Sequence, residues 1–493
     1  MSTMFRLLRD QDVEVLSRGV LQVLERVGFH VDNREILQAL RSAGAVVDVD
    51  RQCARFPRAM TAAFVDAVRA EDKREWSRRI AAMGENAKTA LSGWVPYETD
   101  AELRAPYLPH LFHQLATFYH DDATQARRKG NREDFIRLIR FGDMLHPEDG
   151  SGHSLNLTEA PALLEPLEAA LCELEYSHRP RGVYVHDVRQ IEYLQEMQAI
   201  FGIADPTWPW LANICPNSPL KLDKVVAERF LFMVRSGLYP AKLAAMPVGG
   251  VNMPITAGGG AVIVAAEFLA LWMAARAIAP SVPLTGLVVS GTMDMHGGQV
   301  SFGAMDALRS RIACAEFLRA WTGIAVSPSI GDWSPACRTG LFAALEKAHI
   351  ALTVAAFTGH HPEIGLGHLD SGLAISPVQL LIDREVTAGL RFLEHRPIDA
   401  DSLGLECIES IGFGFDRNYL DDDHTLARLH QESWMPEFYA RNGWTPEDDQ
   451  AVKERALARV NDLVAAHRKP EGREDQLAAA RTVLERARRD LLR

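Results

Sequence analysis

Residues 239–295 limit the fold more than any other stretch of the chain. Two short apolar runs, at 241–248 and 283–290, each stop at glycine and have the length of a buried parallel strand. Between them lies an apolar segment of helical length, 260–278. Because this segment contains Glu267 and is flanked by strands, it predicts a buried helix rather than a membrane span. The stretch therefore predicts a βαβ unit with parallel strands.

The loop 249–260 joins the first strand of this unit to its helix. Loops at the carboxyl ends of parallel strands face the ligand crevice in barrels and in open sheets. Gly258, Gly259 and Gly260 would let the main chain approach a ligand closely, although a tight helix entry without a ligand explains them too. Neither GxGxxG nor the Lys-Ser/Thr of a phosphate loop is present, so nucleotide binding is not favoured.

Beyond residue 146, short apolar runs alternate with longer helical patterns, which is the signal of an α/β fold. We expect a (β/α)8 TIM barrel, with an open doubly wound sheet as the alternative. The eight strand candidates are 152–157, 182–185, 211–215, 242–247, 284–289, 323–327, 351–357 and 403–408. The helices expected between them include 187–201, 221–236, 304–321 and 335–349.

Helical additions are expected at both ends of this barrel. Residues 1–145 form a helical N-terminal region and lead-in, 146–445 the barrel and 446–493 a C-terminal helical tail. Asn33 and Asn131 are expected to cap helices. Because the amphipathic tail has no obvious core of its own, a homo-oligomer is expected.

Composition excludes several classes of protein. A net charge of -12 argues against nucleic-acid binding, and a hydrophobic fraction of 47% is that of a globular protein. Six cysteines lie without CxxC spacing, which suits a reducing cytoplasm. The first dozen residues contain no apolar segment, so secretion is not expected. We expect a cytoplasmic protein with neither a membrane nor a nucleic-acid partner.

Polar residues that follow the predicted strands should line one mouth of the barrel, unless they cap the next helices. This set contains Asn156, Glu159, Tyr184, His186, Asp187, Asn213, Asn217, Asn252, Thr292, Asp294, Asp332, Trp333, Thr358, His360 and His361. The histidines His360, His361 and His368 do not match HExxH, so no metal site is expected there.

Aromatic residues near the predicted strands suit a methylated cation. A quaternary ammonium group donates no hydrogen bond and is held by aromatic faces, although packing between strand and helix is an equal explanation for several of them. The candidates are Tyr184, Trp208, Trp210, Tyr239, Trp333 and Phe357. Trp333 is preferred because it lies beside Asp332, whose charge could compensate the cation; the alternative is that Asp332 caps a helix beginning near Pro335.

Several segments between residues 23 and 434 occur in an order and spacing that resemble the trimethylamine methyltransferase superfamily. They are VLERVGFHVDNREILQALRSAGAVVD, FYHDDATQARRKGNREDF, the strand and loop at PNSPL, MPVGGVNMPITAGGGAVIVAAEFLA, SIGDWSPACRTG and DDDHTLARLHQESW. Family members often carry an Asp-x-Lys-like segment ahead of an acidic-Gln pair. Here Gly331-Asp332-Trp333-Ser334 is followed by Ala336-Cys337-Arg338, so the Asp is present but the Lys and Gln are not.

The resemblance implies a TIM barrel that transfers a methyl group from an amine to the cobalt of a partner corrinoid protein. Only standard residues are present, so the chain resembles the non-pyrrolysine, glycine betaine methyltransferase-like branch. We expect a betaine-like quaternary amine as substrate and cobalamin carried by the partner, with no cofactor bound tightly by this chain. A non-catalytic barrel that binds a small cation is the alternative.

Two groups of residues are expected to serve this reaction. The candidate catalytic residues are Asp332 and His360, and the candidate substrate-binding residues are Trp333, Tyr184, Asn213, Asn252, Thr292, Phe357 and His361.

Overall fold

The computed structural model describes residues 5–84, 108–111, 115–329, 331–359, 362–393, 398–441 and 443–493. The helices of this part of the chain are α1 Asp10–Arg26, α2 Arg34–Ser42, α3 Arg58–Ala70, α4 Lys73–Ala81, α5 Arg132–Leu145, α6 Glu165–Tyr176, α7 Ile191–Ile200, α8 Lys224–Ser236, α9 Ala257–Ile278, α10 Met305–Thr322, α11 Leu341–Thr358, α12 Pro377–Arg391, α13 Leu405–Ile411, α14 Asp423–Glu432, α15 Pro446–Ala466 and α16 Glu474–Leu491. Short 3-10 helices span Val188–Gln190, Gly331–Trp333 and Asp401–Leu403.

The strands are short. They are β1 Phe29–Val31, β2 Val46–Asp48, β3 Cys53–Arg55, β4 Phe118–Asp121, β5 Ala126–Lys129, β6 Val183–Tyr184, β7 Pro209–Trp210, β8 Lys221–Leu222, β9 Ala241–Ala245, β10 Val248–Gly249, β11 Leu284–Val288, β12 Gly291–Met293, β13 Val300–Ser301, β14 Val326–Ser327, β15 His368–Leu369 and β16 Ala374–Ile375.

The predicted βαβ unit is confirmed. Strand β9 pairs in parallel with β11, and all five β9 residues are buried. Helix α9 joins the two strands, and the Thr256 side chain caps it by accepting a hydrogen bond from the Gly259 N–H. A side chain at Gly286 on β11 would place its Cβ 2.7 Å from the Phe268 ring of α9, so this face of the strand lies against the helix.

Within the described residues, two helices are long and apolar enough to cross a membrane, judged by length and composition alone. They are α9 and α11, in which 72% and 39% of the most apolar window is buried within the protein. Helix α9 packs against α10 and α1. Its apolar composition is therefore that of a core helix.

Parallel pairings recur along the chain. Strand β6 pairs with β7, Ile214 with Leu243 of β9, β11 with β14, and β16 with β4. The described residues form five separate sheets of two to four strands, and none of these sheets closes into a barrel. The fold is thus mixed α/β, as predicted, while the barrel stays a prediction.

Two predicted strands are wrong. The apolar run 351–357 is the second half of helix α11, and 403–408 belongs to the 3-10 helix Asp401–Leu403 and to α13. A short apolar run has no period that separates a buried strand from a buried helix. The run 152–157 contributes one bridge, Leu155 to Ala116. Strands β4 and β16 were not predicted, and β16, with two residues, has no readable alternation.

The two ends of the chain add helices. At the N-terminal end Asn33 caps α2 by accepting from the Glu35 and Ile36 N–H groups, and Asn131 caps α5 through the Asp134 N–H, as predicted. At the C-terminal end, α15 packs on α5 and α12, and α16 packs on α6 and α7. These last helices therefore share the core of the chain. The tail has a core to pack on, so it gives no reason to expect an oligomer. The division into three regions stays a prediction.

Candidate functional site

An aromatic pair lies where β6 meets β7. Tyr184 and Trp210 are register partners in parallel strands, so their side chains project from the same face. Their ring centroids are 5.3 Å apart at 74°. The His186 ring lies 4.7 Å from Tyr184, and Arg229 donates to the Tyr184 hydroxyl at 3.3 Å. All three rings are half-buried, which leaves aromatic surface for a ligand.

The Glu165 carboxylate joins this group to a second histidine. His153 Nε2 lies 3.0 Å from one carboxylate oxygen, and His186 Nε2 lies 3.3 Å from the other. His153 Nδ1 accepts from the Tyr184 N–H, so Nε2 must carry the proton that is donated to Glu165. Burial favours the neutral acid, but the hydrogen bonds from His153, His186 and the Leu157 N–H hold the pKa of Glu165 well below its usual range. Glu165 is thus an ionised anchor for both imidazoles.

A buried lysine lies beside the aromatic pair. Lys242 is on β9 and only 1% exposed, and its Nζ has no hydrogen-bond partner in the described residues. That Nζ lies 5.4 Å from the centroid of the Trp210 ring and 4.9 Å from that of Tyr239. Burial lowers the pKa of the Lys242 ammonium to about 7. The structure thus holds an amine that titrates near neutrality and faces aromatic rings rather than a carboxylate.

The strand register shows which way Lys242 points. Leu243 is the register partner of Gly286, whose face lies against helix α9. Side chains alternate along a strand, so the neighbouring Lys242 projects from the opposite face, away from α9.

Asp332 lies in a buried ionic network. In the 3-10 turn Gly331–Trp333 its carboxylate accepts from the Leu366 N–H at 2.6 Å and lies 3.5 Å from both Lys347 Nζ and His368 Nδ1. Lys347 Nζ also lies 2.5 Å from Asp383, which accepts from the Gly367 N–H and the Gln379 amide.

The next α-helix along the chain begins at Leu341, so Asp332 does not cap it.

Opposite effects of burial and charge act on the two carboxylates of this network. Burial raises the pKa of Asp332, but the charges of His368 and Lys347 outweigh it, so the pKa lies below its usual value. The pKa of Asp383 is raised, chiefly by burial. Gly365 adopts φ +153°, and a Cβ there would approach Asp332 Oδ1 to 2.6 Å. The chain therefore comes close to the network at a position that only glycine fits well.

The other predicted site residues lie in several places. Trp333 packs on Phe302 at 5.8 Å, Asn252 accepts from the Val248 N–H within its own turn, and the Thr292 hydroxyl donates to Asp306. Phe357 packs on Phe5 at 5.5 Å, and Asn213 follows β7 and is half-buried. His360 and His361 lie outside the described residues. Within the described residues, Tyr184 is the one predicted substrate-binding residue that belongs to the aromatic pair.

Some residues of this region were not predicted. Lys242 had a readable signal, because it is the one charged residue in the apolar strand Ala241–Ala245. Glu165 and His153 had none, since their roles arise from contacts between separate segments. Arg311, on α10, is buried like Lys242 and Lys347, and its three guanidinium nitrogens have no partner in the described part of the chain. Burial lowers the pKa of Arg311 to about 9.

Comparison with known proteins gives one family. The profile of Trimethylamine methyltransferase (MTTB) matches residues 111–491, most of the chain. No curated protein matches the sequence. The matched range includes the aromatic pair, Lys242 and the Asp332 network.

Proposed function

Since the chain belongs to the trimethylamine methyltransferase family, whose members are methyltransferases, we propose that it moves a methyl group from a betaine-like quaternary amine to the Co(I) of a partner corrinoid protein. The family implies activity in corrinoid-dependent methylamine metabolism. The choice of a betaine, a zwitterion with a quaternary nitrogen and a carboxylate, is our inference from the residues around Trp210.

The observation that carries this choice is a buried cation beside an aromatic pair. Lys242 has no anionic partner in the described residues, and a buried charge without a partner is costly. A substrate carboxylate would pair with it. The faces of Tyr184 and Trp210 would then hold the trimethylammonium end, since a quaternary cation is attracted to aromatic faces and donates no hydrogen bond. A ligand that carries both a carboxylate and a quaternary nitrogen would pair with Lys242 and occupy the aromatic faces at the same time.

Methyl transfer from a quaternary amine requires no acid or base from the protein. When the C–N bond of a quaternary amine breaks, its electron pair stays on nitrogen, and the amine leaves neutral without a proton. The corrinoid of the partner supplies the reduced metal that accepts the methyl group. Tyr184 and Trp210 orient the ammonium and exclude water, while Lys242 holds the carboxylate so that one methyl group faces the partner. Glu165 fixes the histidine that packs on Tyr184.

We also propose that the parallel pairings belong to a TIM barrel with helical additions at both ends. Its support is the succession of pairs from β6 to β14, with β16 returning to β4. In such a barrel Lys242 would point inward, because it projects away from α9. A cytoplasmic homo-oligomer is proposed too, supported by the exposed apolar side chains Phe413, Phe415 and Leu420.

The direct roles predicted for Asp332, Trp333 and His360 stay predictions. Asp332 is fully buried and already lies near Lys347 and His368. We therefore place the cation at Tyr184 and Trp210 rather than at Trp333. A positioning role for Asp332, through the loop that contains Leu366, agrees better with its contacts.

The reaction is tested with the purified protein, its reduced corrinoid partner and a panel of methylated amines. Methyl-cobalt absorbance should appear with glycine betaine and not with choline, which shares the cation but has no carboxylate. Binding of betaine without any methyl-cobalt signal would favour the alternative, a non-catalytic barrel that binds a small cation.

Trp210→Leu should weaken betaine binding by about 2 kcal/mol, or more than tenfold, because it removes a half-buried aromatic face from the cation. Titration calorimetry with betaine and with 3,3-dimethylbutyrate measures this. The second ligand has the same shape and carboxylate but no positive charge, so its affinity should change much less. Trp444→Leu, at an exposed tryptophan, is the control. Equal losses for both ligands would assign Trp210 to packing alone.

A further inference from the structure

Three helix ends meet at a cluster of metal-ligating side chains outside the proposed active site. Asp143 lies near the end of α5, His178 lies two residues beyond α6, and His467 directly follows α15. One ligand atom from each, a carboxylate oxygen or an imidazole nitrogen, lies within 4.8 Å of the others. No step proposed above uses these residues.

The distances in this cluster suit a tetrahedral metal. His178 Nδ1 lies 3.0 Å from Asp143 Oδ2, and His467 Nε2 lies 3.6 Å from the same oxygen. Around zinc, bonds of about 2.0–2.1 Å at tetrahedral angles separate neighbouring ligand atoms by roughly 3.3 Å. The two observed distances lie on either side of that value, so small side-chain rotations would complete the geometry.

His467 gives an independent indication of a ligand. It is only 7% exposed, and its Nε2 has no hydrogen-bond partner among the described residues, although it faces the Asp143 carboxylate. Buried polar nitrogens are normally satisfied. A cation between this nitrogen and the carboxylate would satisfy both.

The surroundings hold the carboxylate in place. The Ser177 hydroxyl donates to Asp143 Oδ1 at 2.7 Å, and the His178 N–H donates to Oδ2 at 2.6 Å. Outer hydrogen bonds of this kind orient the ligands of metal sites. Arg473, which donates to the carbonyls of Leu174 and Ser177, places a positive charge nearby that weakens cation binding without blocking the ligand atoms.

We propose that Asp143, His178 and His467 bind one divalent transition metal of the zinc type. Two imidazoles and one carboxylate favour such an ion over Mg²⁺ or Ca²⁺, which prefer oxygen ligands. The His178 side chain is 56% exposed, so the site is open to solvent and a water molecule completes the coordination. The metal fastens the end of α15 to α5 and to the loop after α6.

The test uses the full-length protein without a histidine tag, depleted of metal by a chelator. Titration with Zn²⁺ alone should show one site, and Co²⁺ alone should give the visible absorption bands of a four-coordinate ion. His178→Ala and His467→Ala should each weaken Zn²⁺ binding at least tenfold and remove the Co²⁺ bands. His178→Ala keeps the test decisive if the buried His467 variant does not fold, because His178 is largely exposed.

His296→Ala, at an exposed histidine, is the matched control and should bind both ions as the parent does. Zinc should also raise the melting temperature of the parent and of the control, but not that of His178→Ala. Absence of saturable Zn²⁺ binding, or equal affinity in the parent and in His178→Ala, would overturn the proposal. In that case the three side chains contact one another without a metal.

Discussion

Replacing Lys242 by methionine is expected to weaken betaine binding by about 3 kcal/mol, or about a hundredfold, while making the unliganded protein more stable. Removal of the charge that pairs with a desolvated carboxylate costs several kcal/mol of affinity. Methionine fills a similar volume and removes a buried charge that has no anionic partner. Calorimetry of betaine binding and thermal unfolding of both proteins measure the two effects.

The pH dependence of the free energy of unfolding measures the contribution of Lys242 separately. Its pKa is about 7 in the folded protein and near 10.4 in the unfolded chain, so between these values the unfolded state binds more protons. Lys242 therefore makes the free energy of unfolding rise by about 1.4 kcal/mol per pH unit across that window, and adds no slope below pH 7. Lys242→Met should lack this slope, whereas Lys221→Met, at an exposed lysine, should retain it.

Ligand binding gives a second test of the same residue. The carboxylate pairs only with the protonated amine, so betaine binding above pH 7 should take up a proton, and its affinity should fall as the pH rises further. Choline should show neither effect. A Lys242→Met variant that binds betaine as tightly as the parent would contradict our assignment of the carboxylate site.

Lys347→Met should destabilise the protein by about 3–5 kcal/mol, since it leaves Asp332 and Asp383 buried without their shared cation. Chemical denaturation at pH 7 measures the loss. Lys224→Met, at an exposed lysine, should stay within about 0.5 kcal/mol of the parent.

The stability of Lys347→Met at lower pH tests whether unpaired carboxylates cause the loss. Without Lys347 the pKa of Asp383, already raised by burial, should rise further, and the pKa of Asp332 should rise as well. A group with a raised pKa contributes stability at low pH and loses it as the pH rises through the folded pKa. The variant should therefore recover part of its stability on mild acidification. A loss below 1 kcal/mol at pH 7 would show that the network is solvated.

Local patterns in the sequence determined much of the secondary structure. The βαβ unit around α9 and the caps at Asn33 and Asn131 were predicted because they depend on residues close in the chain. A long helix between two apolar runs, or an amide three residues from an N–H group, is readable without any knowledge of distant contacts.

Local patterns failed where the elements are short or evenly apolar. The run 351–357 looks like a strand but is helical in α11, since apolar residues on all sides hide the helical period. Strand β16 has two residues and exists because β4 supplies its hydrogen bonds.

The candidate site was decided mainly by tertiary structure. From the sequence, Tyr184 and Trp210 could be named as aromatic candidates, but their contact depends on the pairing of β6 with β7. Asp332 could be placed after a strand, whereas its distances to Lys347 and His368 depend on how α11 and the loop before β15 pack.

The longest-range groupings had no sequence signal at all. Asp143, His178 and His467 come from three separate helix ends, and no spacing rule joins residues so far apart in the chain. Whether Lys242 has a carboxylate partner is likewise a property of the packed interior. Sequence alone determines which groups are available and the local structure around each. Packing between distant segments decides which of them meet and which charges stay unpaired, because burial and partner distance set the energy of a charge.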